Sequence, residues 1–97
     1  DVDRVVFHVR LDEAADLTVS AFARIAGSNR RLRFRTVGKR AQAGVLTRVV
    51  LKLRRSRRVA VKGAIAQGKV VRARVTIQAK DAGGNESVTR RRVRLVN

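Results

Sequence analysis

Apolar residues recur at every second position through most of this chain, and that spacing constrains the fold more than any single motif. Val5, Phe7, Val9 and Leu11 alternate with Arg4, Val6, His8 and Arg10. Leu17, Val19, Ala21, Ala23 and Ile25 alternate with Thr18, Ser20, Phe22 and Arg24. Successive side chains of an extended strand point to opposite faces, so a period of two marks a strand buried on one side and wet on the other. Three further runs repeat the pattern. In "VLTRVVLKLR", Val45, Thr47, Val49, Leu51 and Leu53 share a face; in "VVRARVTIQAK", Val71, Ala73, Val75, Ile77 and Ala79 do. "RRLRFRTVGKR" sets Leu32, Phe34 and Thr36 opposite arginines, as a shorter and more exposed strand.

Turn signals fall between these runs, at Asp12–Asp16, Gly27-Ser28-Asn29, Ala41–Gly44 and Asp81–Asn85. One segment breaks the alternation. In "RRSRRVAVKGAIAQGK", Val59, Lys62 and Ala66, or Val61 and Ile65, recur at helical spacing. Ser56 is placed to cap a short helix there, with Gly63 and Gly68 limiting it to a turn or two. Six or seven strands with regular turns and one helical turn near residues 56–66 predict an all-β, antiparallel two-sheet sandwich. No internal repeat or linker divides residues 1–97, so one domain is expected.

Valine occurs 17 times and alanine 13 times, while Phe7, Phe22 and Phe34 are the only aromatic residues. Branched side chains at Cβ favour strands. The last strand holds one anomaly: Thr89, Arg91, Val93 and Leu95 share a face, and Arg91 does not belong in a core. A bulge or a rim position is expected there. Val6, Val50, Val88 and Val96 fall on outward positions, where they offer contact to a neighbouring domain or subunit.

The net charge is +17, and arginine supplies 19 of the 24 basic residues. Such a field attracts polyanions in a salt-dependent way. The acids are unevenly placed, with Asp1, Asp3, Asp12, Glu13 and Asp16 early and only Asp81 and Glu86 later. Calcium needs six to eight oxygens, and these spacings match no calcium loop. No cysteine is present, which excludes disulfides and thiolate metal sites. His8 is the only histidine, and no nucleophile or acid stands at a recognised spacing from it, so no catalytic residue is assigned and no cofactor is expected. No apolar run reaches membrane-spanning length. The chain lacks methionine, so it is expected to be a piece of a longer polypeptide.

"VTIQAKDAGGNESVTRRRVRL" carries turn chemistry that can be read directly. The Asp81 carboxylate can accept backbone hydrogen bonds from one to three residues on, and Gly83, Gly84 and Asn85 tolerate positive φ at least cost. A strand running into Asp-x-x-Gly-Asn before a final strand resembles the closing hairpin of bacterial immunoglobulin-like and fibronectin type III-like modules. The acidic "DEAAD" turn after the first strand and the arginine-rich helical link after "LKLRRSRR" fit the same pattern. The resemblance implies a non-catalytic module of a secreted or cell-surface bacterial protein, serving as spacer, adhesive unit or accessory domain. Its partners would be neighbouring domains of the same polypeptide, with no small-molecule substrate.

The basic clusters add a second expectation. Arg54, Arg55, Arg57, Arg58, Arg90 and Arg92 are the candidate contacts to anionic cell-wall or glycan polymer. The alternative is a small basic nucleic-acid-binding domain. The distribution of charge on the folded surface separates them: one arginine-lined face opposite a neutral or acidic one favours nucleic acid, and charge around both sheets favours the module.

Overall fold

The structure, a computed structural model, describes residues 4–95; Asp1, Asp3 and Val96 lie outside the described residues. Seven strands and one helix follow in order: β1 (Arg4–Val9), β2 (Ala15–Ile25), β3 (Arg31–Arg33), β4 (Val37–Ala41), β5 (Thr47–Lys52), α1 (Arg55–Ala66), β6 (Val71–Asp81) and β7 (Glu86–Leu95). The chain is mostly β, in two antiparallel sheets. β1 and β5 form a two-stranded sheet, while β3, β2, β6 and β7 lie side by side in a five-stranded one, with β4 also paired to β2.

The alternation decides which faces meet. Leu17, Val19, Ala21 and Ala23 of β2 and Val71, Ala73, Val75 and Ala79 of β6 are buried against Val5 of β1 and Val49, Leu51 and Leu53 around β5. Leu17, Leu32, Leu51 and Leu53 are the largest fully enclosed side chains, so branched aliphatics fill the space a large aromatic would. Phe34 is also enclosed, at 5 % exposure, and no buried polar residue interrupts this core among the described residues.

Two expected strands change shape. The run through Leu32 and Phe34 becomes two strands, β3 and β4, because the chain leaves the large sheet at Phe34. There Phe34 bridges to Leu53 and the Arg35 N–H donates to the Lys52 carbonyl at 2.9 Å, tying one sheet to the other. Thr36 consequently sits exposed between strands. At the other departure, β5 starts only at Thr47, and Val45 is 53 % exposed instead of core-facing.

The helix is also longer than its expected turn or two, spanning 12 residues. Val61 and Ala64 are buried in the shared core, with Ala60 and Ile65 half-buried beside them, while Val59 points to solvent. Burial of that stripe outweighs the roughly 1 kcal/mol that Gly63 costs inside a helix, so Gly63 does not end it. Gly68 does. At φ +78° it lets its own N–H reach the Ile65 carbonyl and the Lys69 N–H reach the Ala64 carbonyl, both at 3.0 Å, the paired bonds of a Schellman cap. Ser56 is not the N-cap: Arg54 holds that position without a side-chain hydrogen bond.

Candidate polyanion interface

The long ladders of the five-stranded sheet bring its outward arginines into rows. Arg24 of β2 lies opposite Arg31 of β3 on one side and Arg72 of β6 on the other, and Arg72 lies opposite Arg94 of β7. One step along, Phe22 lies between Arg33 and Arg74, and Arg74 is opposite Arg92. A further step brings Ser20, Thr76 and Arg90 into line. Adjacent strands are about 4.8 Å apart and same-face residues about 6.8 Å apart along a strand, so eight guanidinium groups crowd a patch three rows deep.

None of these eight forms an ion pair among the described residues, and all are exposed. Like charges directly across a ladder destabilise it by roughly 0.2–1 kcal/mol per pair. Four backbone pairs here are arginine on arginine: Arg24 with Arg31, Arg24 with Arg72, Arg72 with Arg94, and Arg74 with Arg92. A single aromatic sits among them. The Arg31 guanidinium carbon lies 4.8 Å from the centre of the Phe22 ring, a cation–π contact that pins one arginine over the face. Phe22, Arg24, Arg72, Arg74 and Arg92 surround a shallow depression of about 230 Å³.

The far end of the same face follows the opposite logic. Asp16, Lys80 and Glu86 share a row, the Lys80 ammonium lies 4.0 Å from Glu86, and Arg40 donates to Asp16 at 3.1 Å. Asp12, Glu13, Asp81 and Glu86 line one depression at this end, where the β1–β2 connection meets the last hairpin. The five described acids therefore gather at one pole of a molecule 47 Å long, and the arginine rows occupy the other half of its large sheet. Among the described residues no group of three or more His, Asp or Glu side chains is arranged to hold a metal ion.

The hairpin is built by the residues its sequence named, with altered bonds. Asp81 closes the loop from its last position in β6. Its carboxylate accepts the Asn85 N–H at 2.9 Å and the Asn85 side-chain amide at 3.1 Å, four residues on. The Gly83 N–H, within the expected one to three, also acts to lower its pKa. The Asp81 N–H donates to the Asn85 carbonyl at 3.0 Å, and the Gly84 N–H donates to the Asp81 carbonyl at 3.1 Å. Of the three loop residues expected to tolerate positive φ, Gly84 alone adopts it, at +83°; Gly83 and Asn85 do not. The Asn85 backbone N–H, followed by its side-chain amide, holds the Asp81 carboxyl below its ordinary value.

The six expected polymer contacts are divided by the fold. Arg90 and Arg92 lie in the outer rows of the large sheet. Arg54, Arg55, Arg57 and Arg58 lie instead at the start of α1, whose Val61 and Ala64 pack into the core on the inner side of that sheet. The outer rows also hold Arg24, Arg31, Arg33, Arg72, Arg74 and Arg94, none of them among the six expected contacts. Their alternate spacing was visible, but which strands stand side by side, and in what register, was not. The outer side of the small sheet is basic too, with Arg48 and Lys52 exposed around Val6 and Val50. Charge thus surrounds both sheets, densest on the outer rows. No helix among the described residues is long and apolar enough to cross a membrane. Comparison with family models, with curated proteins and with solved structures finds no match.

Proposed function

We propose that this chain is a non-catalytic module of a secreted or cell-surface bacterial protein, an immunoglobulin-like or fibronectin type III-like sandwich. Its outer arginine rows hold an anionic cell-wall or glycan polymer, and its neighbours are other domains of the same polypeptide. The observation that carries the polymer-binding reading is the run of arginine–arginine pairs, unneutralised, in a sheet whose other end pairs its charges oppositely. Repulsion tolerated along three ladders is relieved when a chain of anions lies across them, and guanidinium matches the oxygen pairs of phosphate and carboxylate. The module reading rests on the Asp81–Asn85 hairpin, the two-sheet architecture and charge around both sheets.

The test is the salt dependence of binding to poly(glycerol phosphate) and to a carboxylated glycan. Replacing Arg72, Arg74 and Arg92 together with glutamine should flatten the log–log salt slope by about 2, the share of three phosphate contacts on a flexible strand. Glutamine at Arg54, Arg55 and Arg57 should change it less. Binding that is indifferent to salt, or equally weakened by both triple variants, would contradict the assignment.

Phe22 among the arginines supports a second reading, binding of single-stranded nucleic acid by stacking and phosphate contact. Phe22→Leu separates the two: an oligonucleotide affinity that falls about tenfold at fixed salt favours nucleic acid, and an unchanged oligonucleotide affinity favours the module.

A further inference from the structure

The small sheet is one strand short of covering the large one. β1 pairs with β5 along one edge, and its other edge faces no strand among the described residues. Beneath that edge lies the inner face of β7, carrying Thr89, Arg91 and Val93. The β6–β7 ladder runs unbroken from Val71–Leu95 to Lys80–Glu86, so no bulge turns Arg91 away; it stands opposite Val75 on the core side of the sheet. Between β1 and β7 is a cleft of about 470 Å³. Phe7, Val9 and Leu11 of the first segment and Ile77 and Val93 of the sheet are half-buried apolar residues around it, with Arg91 exposed at its mouth.

We propose that this cleft accepts an added strand: an extended peptide that pairs with the free edge of β1 and lays its inward side chains over β7. Three features fix its chemistry. The edge supplies backbone donors and acceptors along residues 5–9 of β1, as strand addition requires. Phe7, Val9, Leu11, Ile77 and Val93 give the cleft apolar walls, so apolar side chains suit the other inward positions. Arg91, with Arg10 and Arg92 also on the lining, demands a carboxylate at the inward position between them. An inward-facing charge on an edge strand is also how sheets refuse unwanted pairing. Here it refuses basic or neutral strands, including the arginine-rich strands of a second copy, and admits an acidic one. The site lies on the inner side of the large sheet and shares only Arg92 with the outer rows.

The probe is the labelled peptide Ac-Thr-Val-Thr-Glu-Thr-Val-Thr-NH2, whose two valines and glutamate share one face. Its control, Ac-Thr-Val-Glu-Thr-Thr-Val-Thr-NH2, has the same composition with the glutamate on the other face. At about 0.15 M salt, where long-range attraction is largely screened, the probe should bind more tightly than the control and slow amide exchange along β1. Arg91→Glu should weaken the probe by about tenfold or more and transfer preference to the peptide with lysine in place of glutamate. Arg91 is exposed, so its variant is expected to fold, and an unchanged melting curve verifies that. Equal binding of probe and control, an unchanged probe affinity in Arg91→Glu, or unaltered β1 exchange would each overturn the proposal. So would self-association of the protein through this cleft.

Discussion

The Asp81 carboxylate holds Asn85 by both of its nitrogens, the backbone N–H at 2.9 Å and the side-chain amide at 3.1 Å. One side chain thereby closes the hairpin that sets the register of β6 and β7. That register is what lines up Arg72 with Arg94 and Arg74 with Arg92. The turn and the charged face are therefore parts of one construction.

Within the loop the two glycines should separate. Gly84, at φ +83°, has open space around a Cβ, so Gly84→Val costs through the backbone alone, about 1–2 kcal/mol. Gly83 lacks positive φ, and a Cβ there would meet Asp81 Oδ1 at 3.4 Å, an ordinary contact. Gly83→Ala should stay within about 0.5 kcal/mol. Denaturant unfolding of both variants checks the contrast.

The Asp81 carboxyl is held below its ordinary value of 3.8, chiefly by the Asn85 backbone N–H. A group with a depressed folded value stabilises the fold fully above its unfolded value, and that stability is lost as pH falls through the folded one. Acid titration of the wild type should therefore show a stability loss, beginning as pH drops below 3.8, that Asp81→Asn lacks. Comparing the two proteins' melting temperatures between neutral and acid pH tests it; parallel curves would remove the carboxylate from this role.

Arg92 stands opposite Arg74. Replacing Arg92 with glutamate turns a repulsive pair into an attractive one and should stabilise the domain by roughly 0.2–1 kcal/mol. The same change should weaken polymer binding. A melting temperature that rises while affinity falls would show that the wild-type face keeps a strained charge pattern for its ligand.

The start of α1 carries the wrong charge for its dipole, with Arg54 as an uncapped N-cap and Arg55, Arg57 and Arg58 in the first turn. Arg54→Asp supplies both a cap and a negative charge, and should stabilise the protein by about 1–2 kcal/mol. Chemical denaturation measures it directly.

The inward residues of β2 and β6 were legible because each strand alternates over eleven positions, long enough for the period to be unmistakable. Leu32 and Phe34 misled for a physical reason. They alternate like one strand, yet Phe34 serves the second sheet, and nothing local distinguishes a strand that ends from one that crosses over. Gly63 and weak propensities argue for a short helix, whereas burial of Val61 and Ala64 in the shared core is a tertiary gain that no helical window contains.

Alternation, valine content and the Asp81–Asn85 turn determined by themselves that this chain is antiparallel β, which faces are wet, and where its last hairpin turns. Those are local properties: side-chain period and backbone φ depend on residues within a few positions of each other. Only the tertiary structure decided which arginines become neighbours, that the scattered acids meet at one pole, and that Arg91 looks into an uncovered cleft. Those depend on strand order and register, which arise from packing the two sheets together and which no stretch of sequence contains.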